Sequence, residues 1–213
     1  KMLIPSDLLK NKKILLGVTG SIAVYKSLEL VRLLVKAGAD VRVIMSESAK
    51  KFVTPLTFET LTSNQVLDDT NESWVDDRNH IKAGEWADLM VIAPVTANTI
   101  AKLAHAVADN ILLQCALAYP DVKLLAPSAN TNMIGSPITQ ENLKMLGIAN
   151  YKFVDTQTKE LACKTTGDGA MAEPLEIFWH CAKELLKDEF WNNRSVIVTG
   201  GGTVEKIDDV RYI

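Results

Sequence analysis

The stretch KILLGVTGSIAVYK at residues 13–26 decides the fold. Its first seven residues are apolar or β-branched almost throughout, which predicts a strand buried on both faces. A small-residue turn at Gly20 and Ser21 follows it. Apolar positions at helical spacing from Ile22 to Lys36 then predict a helix that stops at Gly38. A buried strand that passes through such a turn into a helix is the start of a βαβ unit.

The same alternation continues along the chain. Four more short apolar runs predict strands at residues 41–45, 89–94, 122–126 and 151–154. Stretches with helical spacing of apolar residues lie between these runs or after them. Strands that are apolar throughout and separated by helices form parallel sheets covered on both faces. We therefore predict an α/β fold with a doubly wound, mainly parallel six-stranded Rossmann-like sheet and helices on both faces.

Composition limits the class of protein. The 213 residues are 47% hydrophobic and carry a net charge of −3, which excludes a disordered chain and argues against a protein that coats nucleic acid. No apolar run approaches the ~18 residues of a membrane span, and Pro5 and Asp7 interrupt the start too early for a signal peptide. Three widely spaced cysteines fit reduced thiols. We expect a cytoplasmic protein with no nucleic-acid or membrane partner.

Ligands of open α/β sheets bind beyond the carboxyl ends of the strands, where helix N-termini offer N–H groups. Three predicted loops at that edge are rich in small, hydroxyl or amide residues: Gly20 and Ser21, then Ser46, then Thr96, Asn98 and Thr99. This set suits a phosphate held by hydroxyls and backbone amides, because neither GxGxxG nor GxxxxGK[ST] occurs in the chain. The alternative is that these residues only cap helices.

Histidines and cysteines give weaker signals. Two polar stretches interrupt the strand–helix alternation and are predicted to be long loops, at residues 68–82 and 155–173. His80 lies in the first, where a lone histidine is usually a solvated residue. Cys163 lies in the second and is the cysteine best placed for chemistry, whereas Cys115 and Cys181 fall in helical patterns typical of packing residues. No spacing of His and Cys is typical of a metal site, so we predict no bound metal.

Five short segments occur in an order that indicates a family. They read GSIAVYK at 20–26, NHI at 79–81, APVTANTIAK at 93–102, PSANTNM at 127–133 and LACKTTGDGAMAEP at 161–174. In these segments the chain resembles the homo-oligomeric flavin-containing cysteine decarboxylases. The residues after 195 resemble a companion domain, and together the two resemblances cover nearly the whole chain. Four positions depart from the family pattern, among them Ala106, which replaces a frequent glycine. Ala129 replaces a methionine of the asparagine motif, and in the substrate flap Lys164 and Ala170 replace the common glycine and arginine.

The resemblance implies an FMN cofactor and roles for individual residues. The FMN phosphate is expected on Gly20, Ser21, Ser46 and Thr96. The remaining cofactor contacts that it implies are Ile22, Pro94, Asn98 and Thr99. His80 is the expected base or hydrogen-bond partner for a substrate thiol, Asn130 is expected to bind the substrate carboxylate, and Cys163 to donate a proton.

The resemblance also implies the reaction. The thiol side chain of a cysteine is first oxidised to a thioaldehyde, which allows the substrate to lose CO2 and form an ene-thiolate. Re-reduction of the ene-thiol then gives the saturated product. A flap cysteine such as Cys163 is typical of the branch that converts 4′-phosphopantothenoyl-L-cysteine to 4′-phosphopantetheine in coenzyme A biosynthesis. The alternatives are a peptidyl-cysteine decarboxylase-like flavoprotein and an FMN-binding regulatory subunit without activity. The incomplete glycine fingerprint disfavours an NAD-dependent dehydrogenase.

Domain organisation and assembly follow from the resemblance as well. Residues 1–190 are expected to form the decarboxylase domain, and 191–213 a linker and the start of a second domain. The run VIVTGGGTVEKIDDVRYI at 196–213 resembles the opening of a companion ligase that uses CTP and Mg²⁺, and it is expected to begin with a strand and a Gly-Gly-Gly-Thr turn. So short a run cannot build a nucleotide site, so we expect no ligase activity from this chain. Family members form homotrimers or dodecamers of trimers, so His80 and Asn130 need not meet within one chain.

Overall fold

The computed structural model describes residues 4–160, 166–191 and 194–200, with the backbone alone at 158–160 and 166–168. Its centre is a parallel five-stranded sheet in the order β2-β1-β3-β4-β5. The strands are β1 (Lys13–Val18), β2 (Asp40–Met45), β3 (Leu89–Val95), β4 (Lys123–Pro127) and β5 (Tyr151–Phe153). Every residue of β3 is buried, as expected for a central strand covered on both faces.

A sixth strand is present only in minimal form, at the edge of the sheet beyond β2. Leu67 pairs in parallel with Ile44. Its N–H donates to the carbonyl of Val43 at 2.9 Å, and its own carbonyl accepts from the N–H of Met45 at 3.0 Å. The predicted doubly wound, mainly parallel α/β sheet is confirmed, with its sixth strand reduced to this single residue.

Helices cover both faces of the sheet. They are α1 (Val24–Lys36), α2 (Pro55–Thr62), α3 (His80–Trp86), α4 (Ala97–Ala104), α5 (Ile111–Ala118), α6 (Thr131–Ile134), α7 (Pro137–Ile148) and α8 (Pro174–Leu185). Helices α1, α2 and α8 pack on one apolar cluster, and α3, α4, α5 and α7 pack on the other. No helix among the residues described is long and apolar enough to cross a membrane.

Three predicted boundaries differ from the structure. Residues 68–82 are not all loop, because α3 begins at His80, with Asn79 as its N-cap. Helix α7 does not stop at Gly147, since it continues to Ile148, and Asn150, with φ of 68°, takes the left-handed position after it. Residues 194–200 form no strand in the structure, where Ile197 is 88% exposed, because no neighbouring strand pairs with them in the described part of the chain.

The second polar stretch, 155–173, is also not an irregular loop. It contains an antiparallel hairpin of β6 (Gln157–Glu160) and β7 (Thr166–Ala170). The hairpin docks on the loop after β4, where the N–H of Ala129 donates to the carbonyl of Gly169 at 3.0 Å. Its strands lack the alternating apolar residues that predict a strand from sequence; the structure shows them paired through their backbones.

Candidate functional site

Thr19 ties the loop after β1 to the end of β3 at the carboxyl edge of the sheet. Its hydroxyl donates to the carbonyl of Pro94 at 2.8 Å and accepts from the N–H of Thr96 at 3.1 Å. The residue is 2% exposed. This buried side chain therefore fixes the position from which Gly20 and Ser21 project.

Ser21 connects the same loop to the loop after β4. Its Oγ lies 3.0 Å from Oγ of Ser128, and the N–H of Ser128 donates to the carbonyl of Val95 at 3.0 Å. Ser128 is two residues before Asn130. The loops after β1, β3 and β4 thus meet in one hydrogen-bonded group.

Gly20 brings the loop after β2 to the same edge. A Cβ at Gly20 would lie 2.5 Å from both Cβ and Oγ of Ser48, so only glycine allows the two loops this close. Ser46 and Ser48 are themselves joined, with 3.1 Å between their hydroxyl oxygens. The structure therefore brings the predicted residues Gly20, Ser21 and Ser46 to adjacent loops.

The loop after β3 completes the edge. Thr96 is the N-cap of α4, and its Oγ1 accepts from the N–H of Thr99 at 3.3 Å and lies 3.1 Å from Oγ1 of Thr99. Pro94 is buried and follows a cis peptide bond. Asn98 is exposed and Ile22 is 58% exposed. The side chains of Asn98 and Ile22 therefore remain open to a ligand, whereas Pro94 and Thr99 shape the backbone.

The donor set fits the phosphate of a flavin nucleotide. Three hydroxyl pairs line the edge, namely Ser21–Ser128, Ser46–Ser48 and Thr96–Thr99. Each pair uses one of its two hydroxyl hydrogens internally, so each keeps one hydrogen with which to donate to an anion. Lys50 is the lysine nearest in sequence to these hydroxyl pairs, and it already pairs with Asp68 at 3.0 Å and with Glu47. Such a site binds phosphate through dipoles rather than through a cation.

Asn130 occupies the start of α6. Its Oδ1 accepts from the N–H of Asn132 at 2.9 Å and so caps that helix. With Oδ1 used in this way, the donors of the side chain are the two hydrogens of Nδ2. An amide N–H of this kind is a suitable donor to a carboxylate.

His80 lies on the first residue of α3, and its hydrogen-bond partner is Glu72. Nδ1 of His80 is 2.8 Å from Oε1 of Glu72, and the ring of Trp74 meets the imidazole edge-on with 5.6 Å between centroids. No described hydrogen bond joins His80 to Asn130 or to the hydroxyl pairs. The predicted base and the predicted carboxylate ligand are therefore not brought into contact by hydrogen bonding within the described part of the chain.

Sequence reasoning missed three of these residues. Thr19 and Ser128 directly follow β1 and β4, so the same strand-end rule that selected Ser46 would have found them. Glu72 gave no signal, because its contact with His80 depends on the turn between them. Cys163 lies outside the described residues, as does Lys164.

The two described cysteines do not contribute to the site. Cys115 and Cys181 are both buried and free, and burial raises the pKa of each thiol to about 12. A thiol with so high a pKa is unreactive at neutral pH. Their predicted role as packing residues is confirmed.

Comparison with known proteins places the chain in a family. The flavoprotein family model matches residues 2–186. Coenzyme A biosynthesis bifunctional protein CoaBC of Bacillus subtilis is 40% identical over 211 residues, which cover 96% of this chain and 51% of that protein. The chain thus spans about half the length of the curated relatives it matches.

Two solved structures are similar to this chain over the whole of their own length. A cysteine-to-serine mutant of PPC decarboxylase, complexed with pantothenoylaminoethenethiol, is 30% identical with a TM-score of 0.73, covering 86% of this chain and 100% of that one. The FMN binding protein AtHal3 is 30% identical with a TM-score of 0.70, covering 88% and 100%. With the parallel sheet, the hydroxyl-rich carboxyl edge and the family match over 2–186 in agreement, the chain belongs to the flavoprotein family.

Proposed function

We propose that this chain binds FMN and decarboxylates 4′-phosphopantothenoyl-L-cysteine to 4′-phosphopantetheine, a step of coenzyme A biosynthesis. The observation that carries the proposal is the 3.0 Å contact between the hydroxyls of Ser21 and Ser128. It joins the loop predicted to hold a phosphate to the loop that leads into Asn130, the predicted carboxylate ligand. The similarity to CoaBC and to PPC decarboxylase supports the same reaction.

The cofactor in this proposal is FMN, held by its phosphate at the carboxyl edge. When bound, FMN supplies the electron acceptor, and later the electron donor, for the thiol-bearing carbon of the substrate. Ser21, Ser46 and Thr96 each belong to a hydroxyl pair that keeps a hydrogen for the phosphate. Ile22 and Asn98 are exposed beside these pairs and complete the expected contact set.

His80 and Asn130 are the residues proposed to act on the substrate. Nδ2 of Asn130 would donate to the carboxylate and hold the substrate's C–C bond in a fixed orientation until CO2 leaves. Nε2 of His80 would accept the proton of the substrate thiol, a role for which an imidazole is suited near neutral pH. In the assembled enzyme these two side chains are expected to face one substrate from different subunits of a homotrimer, either alone or within a dodecamer.

Cys163 is proposed to donate the proton that completes the saturated product. Without that thiol, the decarboxylated ene-thiol is expected to accumulate. Pantothenoylaminoethenethiol, which a cysteine-to-serine mutant of PPC decarboxylase holds, is a compound of that kind. We therefore expect Cys163→Ser to release CO2 but to form the unsaturated product.

Flavin loading and CO2 release test the proposal. We expect the purified chain to bind FMN, seen in its visible absorption, and to release CO2 from 4′-phosphopantothenoyl-L-cysteine. His80→Asn should keep FMN and lose decarboxylation, which separates cofactor binding from chemistry. A peptide ending in cysteine is the control substrate for a peptidyl-cysteine decarboxylase. A chain that refuses FMN, or one that binds it and decarboxylates neither substrate, would contradict the proposal.

The domain organisation and assembly remain part of the proposal. We expect residues 1–190 to act as the decarboxylase domain, with 191–213 leading into a ligase domain in a longer protein. Light scattering of the purified chain should give the mass of three copies or a multiple of three. A monomer that decarboxylates at full rate would contradict the expected sharing of His80 and Asn130 between subunits.

A further inference from the structure

The imidazole of His80 is held by a carboxylate that lies eight residues earlier in the chain. Oε1 of Glu72 is 2.8 Å from Nδ1 of His80 and also accepts from the backbone N–H of His80 at 3.4 Å. Both side chains are mostly buried, with 21% and 26% of their surfaces exposed. The interaction is therefore partly shielded from water, unlike a freely solvated surface pair.

The turn between the two residues keeps them together. Ser73 and Arg78 exchange two backbone hydrogen bonds, at 2.8 and 2.9 Å, which close the segment directly between Glu72 and Asn79. Asn79 is 2% exposed, and its Oδ1 caps α3 by accepting two backbone N–H groups, at 3.1 and 2.9 Å. The backbone on both sides of the pair is thus fixed, so the carboxylate meets the imidazole in a defined orientation.

The chemistry of the contact selects one form of the ring. An ionised carboxylate has no hydrogen to donate, so Nδ1 of His80 must carry the hydrogen of this bond. In a neutral imidazole the other nitrogen then keeps its lone pair. Nε2 makes no hydrogen bond within the described part of the chain, so the basic nitrogen is the one that faces away from Glu72.

We propose that Glu72 is a positioning residue for the decarboxylation: it accepts Nδ1–H of His80 and thereby presents Nε2 as the base toward the substrate thiol. The inference rests on the proposed function for the role of His80 but concerns a residue that lies outside the segments with family resemblance. A carboxylate that accepts the N–H of a functional imidazole in this way fixes both the tautomer and the orientation of the ring.

Glu85, which lies on the same helix as His80, provides a matched control for Glu72. Glu85 pairs with Lys82 at 2.9 Å, and the side chains of that pair are 59% and 49% exposed. An exposed pair of this type contributes little to stability, and it does not contact His80. Glu85→Gln therefore removes the same charge from the same part of the molecule without affecting the imidazole.

The tautomer of His80 can be measured without any catalytic assay. In protein labelled with ¹⁵N-histidine, the long-range ¹H–¹⁵N spectrum distinguishes a protonated ring nitrogen from an unprotonated one, and His80→Asn assigns the signal. We expect Nδ1–H in the wild type and in Glu85→Gln. In Glu72→Ala the acceptor is lost, so the Nε2–H form should appear. Glu72→Gln keeps an oxygen acceptor and should retain much of the Nδ1–H form.

Activity gives the second measurement. Glu72→Ala should lower kcat for CO2 release by about 10- to 100-fold, as removal of a ring-orienting partner does, with little change in KM. Glu72→Gln should recover part of that loss, and in the His80→Asn background Glu72→Ala should cause no further loss. Wild-type kcat and an unchanged Nδ1–H signal in Glu72→Ala would overturn the inference. A wild type that shows the Nδ1–H form but no decarboxylation would instead count against the proposed function.

Discussion

Gly20→Ala tests whether the close approach of two loops creates the cofactor site. The added Cβ would lie 2.5 Å from both Cβ and Oγ of Ser48 and 2.9 Å from its carbonyl carbon. Carbon atoms pack at about 3.5–4.0 Å, so the loops after β1 and β2 must separate by about 1 Å. Overpacking of this kind costs about 1–3 kcal/mol. If the loops cannot return to their positions around the phosphate, the same energy weakens FMN binding by about 5- to 150-fold.

The assay is a titration with FMN, followed by flavin fluorescence, together with thermal unfolding of the unliganded protein. Gly147→Ala is the matched control, because its added Cβ would meet nothing within 4 Å apart from its chain neighbours and the backbone of its own helix, α7. That change should stabilise the protein by up to about 1 kcal/mol and leave FMN affinity unchanged. Adding Ser48→Gly to Gly20→Ala removes two of the three close contacts and should restore part of the affinity. Equal FMN affinity and stability for Gly20→Ala and the wild type would refute the reasoning.

Two further predictions concern titrating groups. Burial raises the pKa of Asp68, but hydrogen bonds from Thr70 and Lys50 outweigh it, and the net pKa lies below 3.8. Its charge therefore stabilises the fold above about pH 4, and this contribution is lost as pH falls through the lowered pKa. Asp68→Asn should unfold more easily at pH 7, by about 1–3 kcal/mol, and the difference should shrink in acid; a constant difference across a urea series from pH 7 to pH 3 would count against it. Cys115 and Cys181, whose pKa values burial raises to about 12, should resist iodoacetamide at pH 8 until the protein unfolds, and mass spectrometry showing rapid labelling of the folded chain would contradict this.

The sheet could be predicted because each of its strands has a recognisable pattern of apolar residues in its own short stretch of sequence. Strands β1 and β3 are apolar at nearly every position, and this pattern has few interpretations other than a buried parallel strand. Helix α3 could not be predicted in the same way. Helix α3 has seven residues and two buried positions, too few for a helical period to emerge. Its one local signal was the N-cap: Asn79 directly before His80.

The candidate site also contains residues that could be predicted from the sequence and residues that could not. The hydroxyl loops could be predicted, because parallel strands end at one edge and the residues after each end must be neighbours. Glu72 could not, because its distance from His80 is set by the backbone bonds between Ser73 and Arg78. Nothing in the composition of that polar segment indicates such a pairing. Residues whose role depends on a particular turn become visible only with the fold.

The departure at residue 129 shows how a change in a family motif can leave its structural role intact. Ala129 stands where a methionine is expected, yet its contact with the hairpin uses the backbone, since its N–H donates to Gly169 at 3.0 Å. The residue whose identity matters is the other partner, where any side chain would collide with the backbone of Ala129. Gly169 has φ of +126°, and a Cβ there would lie 2.2 Å from the carbonyl oxygen of Ala129. Docking of the hairpin beside Asn130 therefore depends on a glycine at 169, and its hydrogen bond does not use the side chain of residue 129.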